Sequence, residues 1–226
     1  MKSHGQFCSI AKALEVVGDR WSLLILRELF CGSSRFNQIH RGVPRISPSL
    51  LTKRLKNLEQ GGVITYKPKT TGYELTQAGM ELKPVVEALG VWGQRWVRGQ
   101  LQDEDFDPDI LMWDMSRRIN LEKFPPVQTC VYFEFSDVPP KNSRYWLVGS
   151  SKGVSLCISD PRFDVDLYVT TDVRTLTLVW NGDLRLSAMV EDGSIELHGS
   201  NKLRSAFQSW LQLGLFASVE PADIKT

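Results

Sequence analysis

The chain has 226 residues, of which 42% are hydrophobic and 23% charged, with a formal net charge of +1; this suffices for one large domain or two of about a hundred residues. No run approaches the roughly 20 apolar residues of a membrane span, the opening MKSHGQFCSI is no secretory leader, and Cys8, Cys31, Cys130 and Cys157 show no metal-ligand spacing, so we expect a cytoplasmic protein with free thiols, no metal, no cofactor and no membrane partner. The near-neutral total hides an asymmetry: residues 1–100 hold 15 Lys/Arg against 7 Asp/Glu, a net +8, while residues 101–226 hold 12 against 19, a net −7.

Residues 8–17 read as a short helix with Ile10, Ala13, Leu14 and Val17 on one side. Asp19 is expected to cap the next helix, 20–30, which is apolar almost all round and therefore central and buried. A loop follows at Cys31-Gly32-Ser33-Ser34, then a short helix over 35–41 with Phe36 and Ile39 inward, then a turn containing Pro44. Ser47 can cap a third helix and Pro48 suits its first turn. Within it Leu51, Leu55 and Leu58 recur at helical spacing, and Ser49, Thr52, Lys53 and Lys56 recur on another face until Gly61-Gly62 stop the helix. Two short helices joined by a tight turn, the second polar and basic outside, make a helix-turn-helix. Hydroxyls reach base edges and lysines attract phosphates. Between Gly32 and Lys69 there are eight cations and one anion, Glu59.

VITY (63–66) and YELT (73–76) read as strands joined by a basic hairpin tip, Lys67 to Gly72, in the position of a wing. The expected contacts to double-stranded DNA are Arg35, Arg45, Ser47, Ser49, Thr52, Lys53, Arg54, Lys56, Lys67, Lys69 and Thr70. Thr76 caps one further helix whose apolar side, with Leu82, Val85, Leu89, Trp92 and Trp96, is a natural dimerisation surface. Pro84 falls in its first turns.

Residues 99–107 (GQLQDEDFD) read as an acidic linker. A helix is expected from Pro108 to about Phe124, then strands at 127–135, 144–150, 153–159 and 164–171, whose alternation fits antiparallel neighbours. TLTLVW within 172–190 favours strand by composition, although Asn181-Gly182 serves equally as a hairpin turn or a helix stop. SIELH (194–198) reads as a strand and 200–213 as a last amphipathic helix.

Taken together, Cys8, GDRWSLLILREL (18–29), RFNQI (35–39), ISPSLLTKRLKNLEQGGVI (46–64), YELTQAG (73–79) and the tryptophan-bearing closing helix resemble the HxlR-type winged-helix transcription regulators, relatives of the MarR group. The resemblance covers residues 8–98. It implies a homodimer whose two winged helices read a near-palindromic operator, with the recognition helix at Ser47 to Gln60. Residues 101–226, and the run 164–211 above all, are similar to the sterol-carrier-protein-like fold. That similarity implies a strand, two short helices, a Gly-containing turn, a strand and a final helix, making 173–190 helical against its composition. It also admits an apolar effector as partner.

The expected fold class is thus α+β, with a winged helix-turn-helix domain at 1–100 and an α/β sterol-carrier-like domain with a mixed sheet at 101–226. Phe133, Tyr145, Leu156 and Trp180 are expected among the walls of a ligand pocket. Cys8 stands at a helix start, where the dipole favours thiolate and hence oxidation, and some HxlR-type proteins sense oxidants through a cysteine at this place. No catalytic constellation stands out, because His4, His40 and His198 lie apart from paired acids, so no enzyme is expected. A rival reading makes the second half a carrier of lipid-like ligands, with the basic half an attachment module.

Overall fold

The computed structural model describes residues 3–70 and 72–222. Thr71, within the expected hairpin tip, and the first two residues lie outside the described residues. The chain divides into two compact units, Met1–Trp92 and Gly93–Thr226.

The first unit opens with α1 (Ser9–Val17), α2 (Ser22–Phe30), α3 (Phe36–Gly42) and α4 (Pro48–Gln60). Ile25, Leu26 and Leu29 of α2 meet Ile39 of α3 and Leu51, Leu55 and Leu58 of α4 in one core. α1 turns Ala11 and Val17 inward, while Ile10 and Leu14 remain exposed. Trp21, not Asp19, is the N-cap of α2, with φ 84° and no side-chain cap. That left-handed conformation is strained for a bulky residue, at a cost of about 1–3 kcal/mol.

β1 (Ile64–Lys67) and β2 (Gly72–Leu75) pair antiparallel from Ile64↔Leu75 to Lys67↔Gly72. The single helix expected after Thr76 is two: α5 (Gln77–Glu81), capped by Thr76, and α6 (Lys83–Trp96). The break at Leu82 falls two residues before Pro84, which has no N–H to continue the ladder of α5. Leu82 itself packs against the first core.

The second unit is built on a five-stranded mixed sheet in the order β5-β4-β3-β6-β7. The strands are β3 (Thr129–Phe135), β4 (Arg144–Ser150), β5 (Gly153–Cys157), β6 (Leu167–Thr171) and β7 (Glu196–Gly199). The neighbours are antiparallel except β3 and β6, which run parallel from Val131↔Leu167 to Phe135↔Thr171. Inward residues of the sheet share a core with α7 (Pro108–Arg117), α8 (Val173–Trp180), α9 (Leu186–Glu191) and α10 (Asn201–Trp210).

Residues 173–191 are therefore mostly helical, and TLTLVW is no strand. Asp172 caps α8 by accepting from Thr175 N at 2.7 Å, and Val173, Leu176, Val179 and Trp180 are buried at helical spacing. From β6 through α8, α9, Gly193 and β7 to α10, the element order is that implied by the sterol-carrier-like resemblance. α7 stops at Arg117, short of Phe124. Ile119 forms a β-bridge with Leu211, and Asn120 N donates to Trp210 O at 2.8 Å, so the chain leaves the helix to pair with the end of α10.

The segment 99–107 is not an open linker. Phe106 packs against the second core, and the Arg174 guanidinium lies 4.1 Å above its ring while pairing with Asp103. Asp107 caps α7, and Asp109 accepts from the buried Tyr145 hydroxyl at 2.8 Å. Burial first, then that bond, pushes the Tyr145 phenol far above its ordinary value. Among the described residues, no helix is long and apolar enough to cross a membrane and no cluster of His, Cys, Asp or Glu could hold a metal ion.

In the first unit Glu28 of α2 is fully buried. It accepts from Arg27 at 3.0 Å and from Ser33 Oγ at 3.3 Å, and Arg27 also donates to Gly42 O at 2.8 Å. A Cβ on Gly42 would fall 2.0 Å from the Glu28 carboxyl carbon. Gly42→Ala is expected to cost about 1–3 kcal/mol by overpacking, read by urea denaturation. Gly99→Ala, whose Cβ would meet nothing within 4 Å, is the control that stays within about 0.5 kcal/mol of the parent.

Candidate nucleic-acid interface

The site begins with the turn between α3 and α4. His40 Nε2 lies 2.9 Å from Ile46 O, Val43 N donates to His40 O, and Ile46 N donates to Val43 O. The turn is thus closed by its own backbone and one imidazole, which sets the crossing of the two helices. Gln38 Oε1 accepts from Ser34 N and Arg35 N at the start of α3. Ser47 Oγ accepts from Leu50 N at 3.3 Å and starts α4. Ser47 therefore caps the helix, and its hydroxyl also sits 3.2 Å from that of Ser49.

Leu51, Leu55 and Leu58 have no exposed surface. Their complete burial turns Ser49, Thr52, Lys53 and Lys56 outward, and all four are exposed. Thr52 Oγ1 donates back to Pro48 O at 2.9 Å, leaving its lone pairs as acceptors.

Arg54 stands elsewhere than expected. Its side chain is only 15% exposed and pairs with Asp19. Its Nε donates to Arg20 O at 3.2 Å, and Asn57 Nδ2 reaches Asp19 at 3.5 Å. The carboxylate expected to cap α2 instead braces α4 against the junction of α1 and α2, so Arg54 is a strut rather than an outward-facing cation.

The hairpin is tied to the same frame. Tyr73 N donates to Ser34 O at 2.8 Å, and Tyr66 N donates to Glu59 Oε1 at 3.0 Å. Glu59, the one anion of the basic stretch, is thereby engaged by the wing's backbone. Lys67, Lys69 and Thr70 are exposed, as are Arg35 and Arg45. Lys67 Nζ lies 4.0 Å from Glu74 across the hairpin, with both side chains about half exposed. Thr70 N and Oγ1 both donate to Lys67 O, closing the tip.

α6 buries no residue. Val85, Leu89 and Trp92 are 56%, 51% and 55% exposed, and Trp96, counted in the second unit, is 47% exposed. Phe7, Ile10 and Leu14 are likewise uncovered. Sequence reading missed this second apolar patch because the spacing of Ile10 and Leu14 equally fits an inward face.

Cys8 is exposed at the start of α1. The backbone N–H groups of Ala11 and then Ile10 hold its thiol below the ordinary value. Cys130 is the opposite case, since burial pushes its thiol up to about 11.

The four residues expected around a ligand pocket form no such pocket. Phe133, Tyr145 and Trp180 are buried in the second core, and Leu156 packs against it. Phe133 meets Phe207, Tyr145 meets Phe135 edge-on, and Trp180 Nε1 donates to Asp114 at 3.0 Å. Their surfaces are spent on the core.

Residues 16–101 match the HxlR-like helix-turn-helix family. The HTH-type transcriptional regulator sll1512 of Synechocystis is 36% identical over 98 residues, 41% of this chain and 73% of that protein. Among solved structures, quinone-bound YodB from B. subtilis is 32% identical, covering 39% of this chain and 97% of that one, with a TM-score of 0.36. The ubiquinone synthesis protein UbiJ-SCP2 is 17% identical, covering 39% of this chain and 68% of that one, with a TM-score of 0.31.

Proposed function

The chain belongs to the HxlR-like helix-turn-helix family of DNA-binding transcriptional regulators, and we propose that it works as a homodimer on a near-palindromic operator, α4 lying in the major groove and the wing on adjacent phosphates. The observation that carries this reading is the outward flank of α4. Ser49, Thr52, Lys53 and Lys56 stand exposed opposite a leucine stripe with no exposed surface, and the stretch's one carboxylate is turned toward the wing. Lys67 and Lys69 contribute charge without sequence discrimination, and Ser49, Thr52 and Lys53 discriminate bases.

An operator selected from random DNA by the purified protein provides the test. Lys67→Ala and Lys69→Ala each lower the salt slope of log affinity by about one unit. Ser49→Ala, Thr52→Ala and Lys53→Ala each cost about 1–3 kcal/mol on that operator and relax its sequence preference. An unchanged gel shift for the triple variant sinks the assignment of α4.

Dimerisation is proposed through α6. Val85, Leu89, Trp92 and Trp96 share an apolar side that a lone chain leaves in water, and aromatic anchors of this kind dominate interface energetics. The double variant Leu89→Glu, Trp92→Glu is expected to halve the particle mass measured by light scattering. A dimer that survives both changes removes this face from consideration.

Regulation by thiol oxidation is supported by Cys8, which is exposed and whose thiol is held below its ordinary value by the backbone N–H groups of Ala11 and Ile10, raising the share of the reactive thiolate. Diamide takes two electrons and two protons from a pair of thiols, joining Cys8 to a second sulfur as a disulfide. The expected outcome is that diamide changes operator affinity in the parent and has no effect in Cys8→Ser. An equal response in both proteins eliminates the switch.

A further inference from the structure

The helix that follows Cys8 is also a helix that touches α4. α1 buries only Ala11 and Val17, so it is seated lightly on the first core. Glu15 of α1 accepts from His4 N at 2.9 Å and from Ser3 Oγ at 3.2 Å, which ties the segment before Cys8 back onto the helix. A pull on the Cys8 sulfur is therefore delivered to α1 as a whole rather than to a loose end.

The far end of α1 meets α4 at two places. Val16 rests on the backbone of Gly61, the C-cap of α4, so closely that a Cβ there would fall 2.5 Å from Val16 Cγ1. Asp19, two residues beyond the end of α1, pairs with Arg54 and is reached by Asn57 Nδ2 at 3.5 Å. Arg54 Nε also donates to Arg20 O at 3.2 Å. Arg54, Asn57 and Gly61 follow one another at helical spacing, so these contacts form one line along α4. With 3.6 residues per turn, that line lies on neither the leucine stripe nor the flank of Ser49, Thr52 and Lys56. α1 thus holds α4 from a third side, and a displaced α1 displaces α4. Two recognition helices on one duplex must keep a separation of about 34–36 Å, so operator affinity registers such a movement.

We propose that α1 is the lever of the thiol switch: oxidation of Cys8 displaces α1, and the Asp19–Arg54 pair together with the Val16–Gly61 contact passes that displacement to α4. The proposal rests on the reading of Cys8 as a regulatory thiol. In the oxidation, two thiols lose two protons and two electrons to the N=N bond of diamide, which becomes a hydrazine, and an S–S bond forms. Asp19 and Arg54 are positioning residues, acting through α4 rather than by touching DNA.

The test is the operator affinity of the full chain, reduced and after diamide, across a set of variants. In the parent, diamide is expected to change affinity by about 5- to 150-fold, the span of ordinary allosteric coupling. Lys12→Gln, which removes an ion pair of α1 with Glu15 that does not reach α4, is expected to respond as the parent does. In Asp19→Asn and in Arg54→Gln the response is expected to shrink by at least about fivefold, and the two changes together shrink it no further, as for members of one contact. Asp19→Glu, which keeps the carboxylate, retains most of the response. Arg54→Gln is also expected to leave the salt slope of log affinity unchanged, whereas loss of a phosphate contact would lower it by about one unit. Urea denaturation checks that each variant is folded. No response in the parent, or an equal response in Cys8→Ser, overturns the redox reading and the lever with it. A response through Cys8 that Asp19→Asn keeps in full, or that Lys12→Gln loses equally, overturns the lever alone.

Discussion

The complete burial of Leu51, Leu55 and Leu58 is the constraint on which the first unit depends. Each buried leucine contributes about 1.5–3 kcal/mol relative to exposure, and three on one stripe fix the rotation of α4 about its axis. With 3.6 residues per turn, a fixed leucine stripe leaves no freedom in where Ser49, Thr52, Lys53 and Lys56 point. The outward chemistry of the helix is thus set by its inward packing. The remaining contacts lock this helix along its length: the Ser47 cap, the His40 clasp on Ile46 O, the Arg54 strut on Asp19 and the Glu59 link to the wing. A recognition surface needs such support, because misplacement by about 0.5 Å already degrades a site.

Charge alone was a poor guide to which cations face outward. Eight cations between Gly32 and Lys69 look equivalent in sequence, yet Arg54 is spent on Asp19, thirty-five residues earlier. The pairing is long-range, and no local pattern announces it. The acids of 99–107 behave likewise. Their run of carboxylates has the composition of a linker, but Asp103 pairs with Arg174, seventy-one residues later, and Asp109 just beyond the run accepts from the Tyr145 hydroxyl.

The helix-turn-helix, the wing and most strand positions were legible because each is marked locally, by a leucine period, a Ser-Pro start, a Gly-Gly stop or a two-residue alternation. What stayed hidden was decided elsewhere in the chain. α8 has the β-branched composition of a strand, and the deciding signals are Asp172 at its start and the helical spacing of Val173, Leu176 and Val179. The end of α7 is fixed by Ile119 and Asn120 pairing with residues ninety positions later, and so could not be read from 108–124 itself. The same holds for the supposed pocket, since Phe133 and Tyr145 are as suited to lining a cavity as to filling a core, and only Phe207 and Phe135 settle which.

Both units leave apolar side chains in water. The second buries Phe133, Phe135, Tyr145, Phe207 and Trp210 in its core but exposes Ile158, Phe163 and Tyr168, and the first exposes Val85, Leu89, Trp92, Ile10 and Leu14. An exposed set of that kind costs solubility unless another surface covers it. A small effector can act on DNA binding only by favouring one arrangement of two recognition helices over another. Two α4 helices on one face of a duplex must sit about 34–36 Å apart, a spacing that packing along α6 would set. A ligand that stabilises both arrangements equally leaves operator affinity unchanged however tightly it binds.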